Sequence, residues 1–499
     1  LARRAAQFAG GARNADLAFE ATSLWIELEP DSREARQVLG MIAANQGNFE
    51  SVKANYAKRL AEPGKAGDLF MLLPTVLTQA SAGNDATKVD RAKVAATVRE
   101  LATPYPQVAE SHFAIAVSTA SAGDAKGALA AVDEALRLKP TLVRAVKLKA
   151  DLLAETSDEA AAKFLQQFLQ ANPDVDEVRL NYAQILIGQK SYVAARDELR
   201  RVDHNNTSNA RIPQSIAMLS QQMGDFADAD KQFQRALKLK PADPSVIYFS
   251  LGMIAESQKD VNKAIDWYGR VTEGDSFVGA KLKIASLLAR RDGIDSGRKF
   301  LREVREEQSG EEDASKRTQL ILAEAQLLRD AKAFKEAFSL LSAAIEKNPE
   351  ATDLLYDRAM IAEKLDKYDV LEKDLRRVIE IKPDYAHAYN ALGYTFADRN
   401  IRLNEAYELI QKAIKMAPDD ASIQDSVGWV YYRMGKLDVA LVALHKAYAM
   451  RRDAEIAAHL GEVLWASGKR EEAQKIWREA LAESPGNEVL TAVLQKHQP

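Results

Sequence analysis

Seven prolines punctuate this chain at a near-constant interval, and that rhythm constrains the fold more than any other feature. Pro140, Pro173, Pro241, Pro349, Pro383, Pro418 and Pro485 each follow an apolar-rich run with helical spacing, as in ALRLKP, ALKLKP, AIEKNP, VIEIKP, AIKMAP and ALAESP. Their separations are 33, 68, 108, 34, 35 and 67 residues, mostly close to multiples of 34. A proline cannot donate to the helix ladder and restricts the residue before it, so each one predicts the end of a helix. Self-similarity at such a period is the mark of a stacked helical array. The 499 residues also exceed what one compact core usually serves.

Within the period the small residues are regular too. Leu39-Gly40, Leu251-Gly252, Leu392-Gly393, Val427-Gly428 and Leu460-Gly461 fall at its seventh and eighth positions. Ala229, Ala264, Ala406, Ala440 and Ala473 supply a matching small residue on the second helix, followed one turn later by Phe233, Tyr268, Ile410, Leu444 and Trp477. Gly123, Gly224, Gly435 and Gly468 mark the tight connection between the two helices. This pattern resembles the tetratricopeptide repeat. It implies an all-α solenoid of about fourteen helix pairs wound into a spiral superhelix, with a long surface for other polypeptides.

Units near 67–104, 142–208, 275–309 and 350–383 keep the helical rhythm but lose several signature residues. The polar run EEQSGEEDASK (306–316) is the expected hinge, dividing the chain into arrays 1–309 and 310–499, and 203–209, with its run HNNTSN, marks a second soft turn. Residues 1–19 carry two arginines and small apolar residues, but they also fit the repeat and are read as a helix pair rather than a signal peptide.

Composition narrows the chemistry. The chain has no cysteine, which removes disulfides, thiol catalysis and cysteine-based zinc sites. A net charge of −4 argues against a nucleic-acid binder, which needs a basic stripe to neutralise phosphates. No apolar run approaches the length of a membrane span. His112, His204, His387, His445, His459 and His497 form no HExxH pair and are read as isolated surface or groove residues. Gly435-Lys436 and Gly468-Lys469 lack the phosphate-loop context, and no GxSxG elbow or dinucleotide fingerprint is present. No catalytic residue, cofactor or metal is expected.

Helix phase points to a different kind of site. At about 100° per residue, positions 2, 5, 9 and 12 of the first helix lie away from the packing stripe, on the face a solenoid turns to its hollow side. In the last three units this stripe reads His387, Asn390, Tyr394, Ala397, then Ser422, Asp425, Trp429, Tyr432, then Glu455, Ala458, Glu462, Trp465, with Arg433 alongside. Aromatics and arginine dominate binding hot spots. Val427, Gly428, Tyr431, Leu460, Gly461 and Leu464 already fill the packing phase. Asn390, Tyr394, Asp425, Trp429, Tyr432, Arg433, Glu462 and Trp465 are therefore the candidate partner-binding residues, with their rings partly exposed in the free protein. Gln214, Met218 and Gln221, then Phe249, Met253 and Glu256, extend a softer surface through the middle units.

The blocks NALGYTFADR (390–399), DSVGWVYYRMGK (425–436) and HLGEVLWASGKREEAQKIW (459–477) stand in order. Together they resemble a proteobacterial family of long tetratricopeptide lipoproteins of the outer membrane, which includes the lipoprotein binding partner of the periplasmic carboxyl-terminal processing protease. The resemblance is closest over 386–485. It implies a periplasmic adaptor that brings that protease its substrates, among them peptidoglycan endopeptidases. It also implies a lipid-bearing cysteine that this chain lacks, so membrane attachment would rest on an anchor outside it; residue 1 is leucine, not methionine. Two other readings remain open: a scaffold for envelope assembly or polysaccharide export, and the regulatory arm of an enzyme such as a glycosyltransferase. The clamp that holds a C-terminal carboxylate with lysines and asparagines is not matched. Its positions hold Asn390 and Tyr394, Asp425 and Trp429, and Ala458 and Glu462, where the acidic groups would repel a carboxylate.

Overall fold

The computed structural model describes residues 2–11, 15–30, 32–79, 90–308, 310 and 314–497. Among these residues every regular element is a helix. Twenty-eight helices run as fourteen consecutive pairs, from Ala2–Gly11 with Ala15–Leu28 to Ala454–Ala466 with Arg470–Glu483, and Glu488–Lys496 follows alone. Leu1 and residues 12–14 lie outside the described residues, but the expected N-terminal helix pair is present around them.

The turns show why this sequence breaks where it does. Six of the seven prolines sit two residues beyond a helix end; Pro241 sits three beyond Lys238. The residues before those six are drawn out of the helical region, as at Lys139 (φ −140°, ψ 84°), Asn348 (φ −140°, ψ 81°) and Lys382 (φ −125°, ψ 81°). That is the steric effect of the pyrrolidine ring on its predecessor.

Among the described residues, most connections inside a pair use a left-handed residue. At Gly224 (φ 78°) the next amide, Asp225 N–H, donates back to Ser220 C=O at 2.8 Å, and the Asp225 carboxylate then caps the second helix at Asp228 N–H, 3.2 Å away. A cap of this kind satisfies helix-end groups that would otherwise be orphaned. Lys190, Lys259, Lys332, Asp366 and Asn400 take the same left-handed conformation at the equivalent turns, without glycine's freedom.

Close helix approach accounts for the small residues of the repeat. A Cβ on Gly252 would lie 2.5 Å from the Tyr268 ring, and one on Gly393 would lie 2.7 Å from Ile410 Cγ1. One on Gly428 would collide with Leu444, and one on Gly461 with the Trp477 indole. Ala406, Ala440 and Ala473 are fully buried opposite these glycines.

The chain divides into two compact units, Leu1–Ala242 and Asp243–Pro499. In the first, buried clusters join successive pairs, as Ala183, Leu199, Ile212 and Ile216 do. The degenerate stretch 67–104 still forms helices Ala66–Gln79 and Arg91–Ala102, the former with Pro74 inside it. The expected soft turn at 203–209 is partly helical, because Tyr192–Asn205 continues through Asp203, whose carboxylate takes a two-pronged hydrogen bond from Arg235. In the second unit, Ile294–Glu307 and Ala314–Asp330 flank the polar run 306–316, of which 309 and 311–313 lie outside the described residues. Leu301, Val304, Leu320 and Ala323 share one core across it.

Candidate groove on the first helices of the second unit

Helices Ala386–Asp398, Ala421–Arg433 and Ala454–Ala466 are the first members of three successive pairs, and the candidate residues all lie on them. Each helix packs its second partner through the glycine-bearing stripe described above. That leaves the stripe containing Asn390, Asp425 and Trp429 to meet the neighbouring first helix.

The centre of the site is His459, which sequence reading placed among the isolated histidines. Its Nδ1 lies 2.8 Å from Asp425 Oδ2, and its Nε2 lies 3.3 Å from the Tyr394 hydroxyl. Its ring stacks on Trp429 with centroids 4.2 Å apart and planes 25° from parallel. Burial pushes the His459 pKa down, but the attraction and hydrogen bond of Asp425, with Glu462 and Glu455 farther off, outweigh it and hold the pKa above the ordinary imidazole value. The one available signal was periodic: Asp425 and His459 are 34 residues apart, one repeat length.

The aromatic stripe is packed more tightly than expected. Trp429 is only 4 % exposed, held between His459 and Tyr432, whose ring centroid lies 5.2 Å away. Its expected exposure is therefore corrected: position 9 of this helix faces the next first helix at close range, and the two rings bury each other. Asp425 is also buried, at 6 % exposure. Asn390, Tyr394, Tyr432, Arg433, Glu462 and Trp465 are half-buried. Arg433 reaches back one repeat, donating to the carbonyls of Ala397 at 3.0 Å and Asp398 at 2.8 Å, where a cation also complements the helix C-terminus.

The candidate residues fall into two groups rather than one continuous patch. Tyr394, Asp425, Trp429, Tyr432 and Arg433 gather around His459. Glu462 and Trp465 belong to a second cluster built by the last helices. There Trp465 lies 4.9 Å from the His497 ring and 6.0 Å from Trp477, Arg470 sits over its face at 5.2 Å, and Lys496 Nζ pairs with Glu462 at 2.8 Å. His497 follows the last complete pair and carries no repeat signature. Tyr432 packs against the cores of both groups.

Two polar atoms in the first group, Asp425 Oδ1 and Trp429 Nε1, have no hydrogen-bond partner, and neither has Asn390 Oδ1 on the preceding first helix. Phe249 and Met253, expected in a softer middle surface, lie in this unit too. Phe249 packs on Tyr268 at 5.4 Å, while Met253 is well exposed. Glu256 instead accepts from the Tyr268 hydroxyl at 3.0 Å and pairs with Lys283 and Arg290.

Family models described as tetratricopeptide repeat match residues 152–219, 216–277, 352–385 and 428–488. The TPR repeat-containing protein PA4667 of Pseudomonas aeruginosa is 43% identical over 215 residues, covering 43% of this chain and 36% of that protein. The match thus spans little more than a third of the relative's length. Protein O-mannosyl-transferase Tmtc2 of Drosophila melanogaster is 30% identical over 91 residues, 18% of this chain and 9% of that protein. A tetratricopeptide repeat protein from Parabacteroides merdae superposes with a TM-score of 0.36 at 17% identity, covering 58% of this chain and 98% of the other.

Proposed function

We propose that this all-helical tetratricopeptide repeat protein is a non-catalytic adaptor of the periplasm, held at the outer membrane by an anchor outside this chain. In this reading it binds a carboxyl-terminal processing protease together with protein substrates such as peptidoglycan endopeptidases, and so promotes their proteolysis. The observation that carries it is the first-helix face of the second unit, where half-buried Tyr394, Tyr432 and Arg433 gather around His459 and half-buried Trp465 lies in the cluster that follows. Such residues supply large contact area with little entropy to lose. The likeness of blocks 390–399, 425–436 and 459–477 to outer-membrane lipoproteins supports the periplasmic setting, and the bacterial relative is in keeping with it.

The test is capture from a proteobacterial envelope extract by the parent chain and by a Tyr432→Ala, Trp465→Ala variant. The reading expects a carboxyl-terminal processing protease and cell-wall hydrolases on the parent, and their loss from a variant that keeps its helicity. Capture of a polysaccharide-export complex without a protease would replace this reading with that of an envelope scaffold. Co-purification with a glycosyltransferase would favour an enzyme's regulatory arm.

A further inference from the structure

Charge on the same face says what kind of segment it accepts. Helices Thr352–Lys364, Ala386–Asp398, Ala421–Arg433 and Ala454–Ala466 follow one another as first helices of the second unit, and carboxylates recur along them. Asp398 and Glu455 are exposed, and neither carboxylate pairs with a cation among the described residues. The half-buried Tyr394 hydroxyl has its pKa pushed up by burial first, and then by Asp398, Asp425, Glu455 and Glu363. Four carboxylates thus bear on one phenol. On the preceding first helix, burial raises the Asp357 pKa despite Arg329 at 3.2 Å, and Asp353 adds like charge.

Three basic side chains in this neighbourhood are already engaged. Arg433 is committed to the carbonyls of Ala397 and Asp398, Lys364 to Glu363 at 3.5 Å, and His459 to Asp425. Two of the three unpaired polar atoms on this face, on Asp425 and Asn390, are acceptors, and the third, Trp429 Nε1, is a donor. Asp425 uses Oδ2 for His459, but its Oδ1 is buried without a donor, and Asn390 Oδ1 on the preceding first helix is in the same condition. A buried acceptor left unpaired is costly, and more so when it is charged. Lysine and arginine side chains carry only donors and a positive charge, and both settle on aromatic faces.

We propose that this face binds a cationic polypeptide segment, with lysine or arginine side chains drawn to Asp398 and Glu455 and donating to Asn390 and Asp425. The proposal rests on the adaptor reading and deepens it by giving the captured segment a chemistry. An acidic segment or a free C-terminal carboxylate would meet the same carboxylates as repulsion.

The test uses the full chain and three fluorescent peptides of equal length, about twelve residues each, enough to cross several first helices when extended. They alternate glycine with lysine, glutamate or serine, and binding is read by anisotropy. The lysine peptide is expected to bind at least about tenfold more tightly than the glutamate peptide, an advantage that shrinks in about 1 M salt as the screening length falls to about 3 Å. Asp398→Asn with Glu455→Gln, both at exposed sites, should weaken the lysine peptide about fivefold or more while the melting curve holds. Glu471→Gln with Glu472→Gln, on a second helix, should leave it unchanged. Equal affinity for the lysine and glutamate peptides, or an unaltered affinity in the first double variant, would overturn the proposal. Neither result would touch the adaptor reading, which the envelope capture tests on its own.

Discussion

Trp429 shows how far one residue's surroundings can depart from its place in the pattern. Its phase sets it on the groove stripe, yet its ring lies between His459 and Tyr432 at 4 % exposure. Trp429→Ala should therefore cost about 3–5 kcal/mol, as large-to-small changes in a core do, and should lower the melting temperature of the second unit. A variant that melts like the parent would show that the ring is not structural. His459 gives a pH test at the same site. Its folded pKa lies above the ordinary value, so the stability it contributes is complete below about pH 6.5 and is lost as pH rises through the folded pKa. Melting of the second unit should fall as pH is raised through that value. Asp425→Asn removes the attraction but leaves the burial, so the His459 titration followed by NMR should move below the free-imidazole value. A His459 pKa that does not respond to Asp425→Asn would contradict the pairing.

At the scale of the helix pair, most of the fold was legible because its causes are local. Proline after a helix, glycine at the close crossing and a left-handed turn residue each act within one repeat, and the structure places them as the spacing predicts. The turns at Lys190, Lys259 and Lys332 escaped notice because lysine carries no turn signal of its own; only register against Gly224 or Gly435 reveals them. Lys259→Gly should stabilise the protein by about 1 kcal/mol in denaturant unfolding, by relieving a left-handed conformation that a Cβ disfavours. Gly428→Leu should do the reverse. Its side chain would enter the space of Leu444, at a cost of about 1–3 kcal/mol, with faster hydrogen exchange in the pairs on either side. Uniform loosening along the chain would contradict stacking between nearest neighbours.

At the scale of the molecule, the site was legible as a set of positions but not as an arrangement. The stripe named Asp425, Trp429 and Tyr394, but their shared partner His459 comes from the next repeat, and no local pattern reports a contact between repeats. Trp465 joined a different cluster for the same reason, since His497 and Lys496 arrive from the helix beyond the last pair. The second unit also curves back on itself: Lys332 Nζ lies 2.9 Å from Glu488 Oε1 across 156 residues, a relation no periodicity within one repeat encodes. That the face of the first helices, and not the second, receives protein partners is the claim on which the account stands. Hydrogen–deuterium exchange on the full chain, alone and with its captured partner, tests it most directly. The account predicts slowed exchange concentrated in Ala386–Asp398, Ala421–Arg433 and Ala454–Ala466; slowing confined to second helices such as Leu437–Met450 and Arg470–Glu483, with the first helices unchanged, would contradict it.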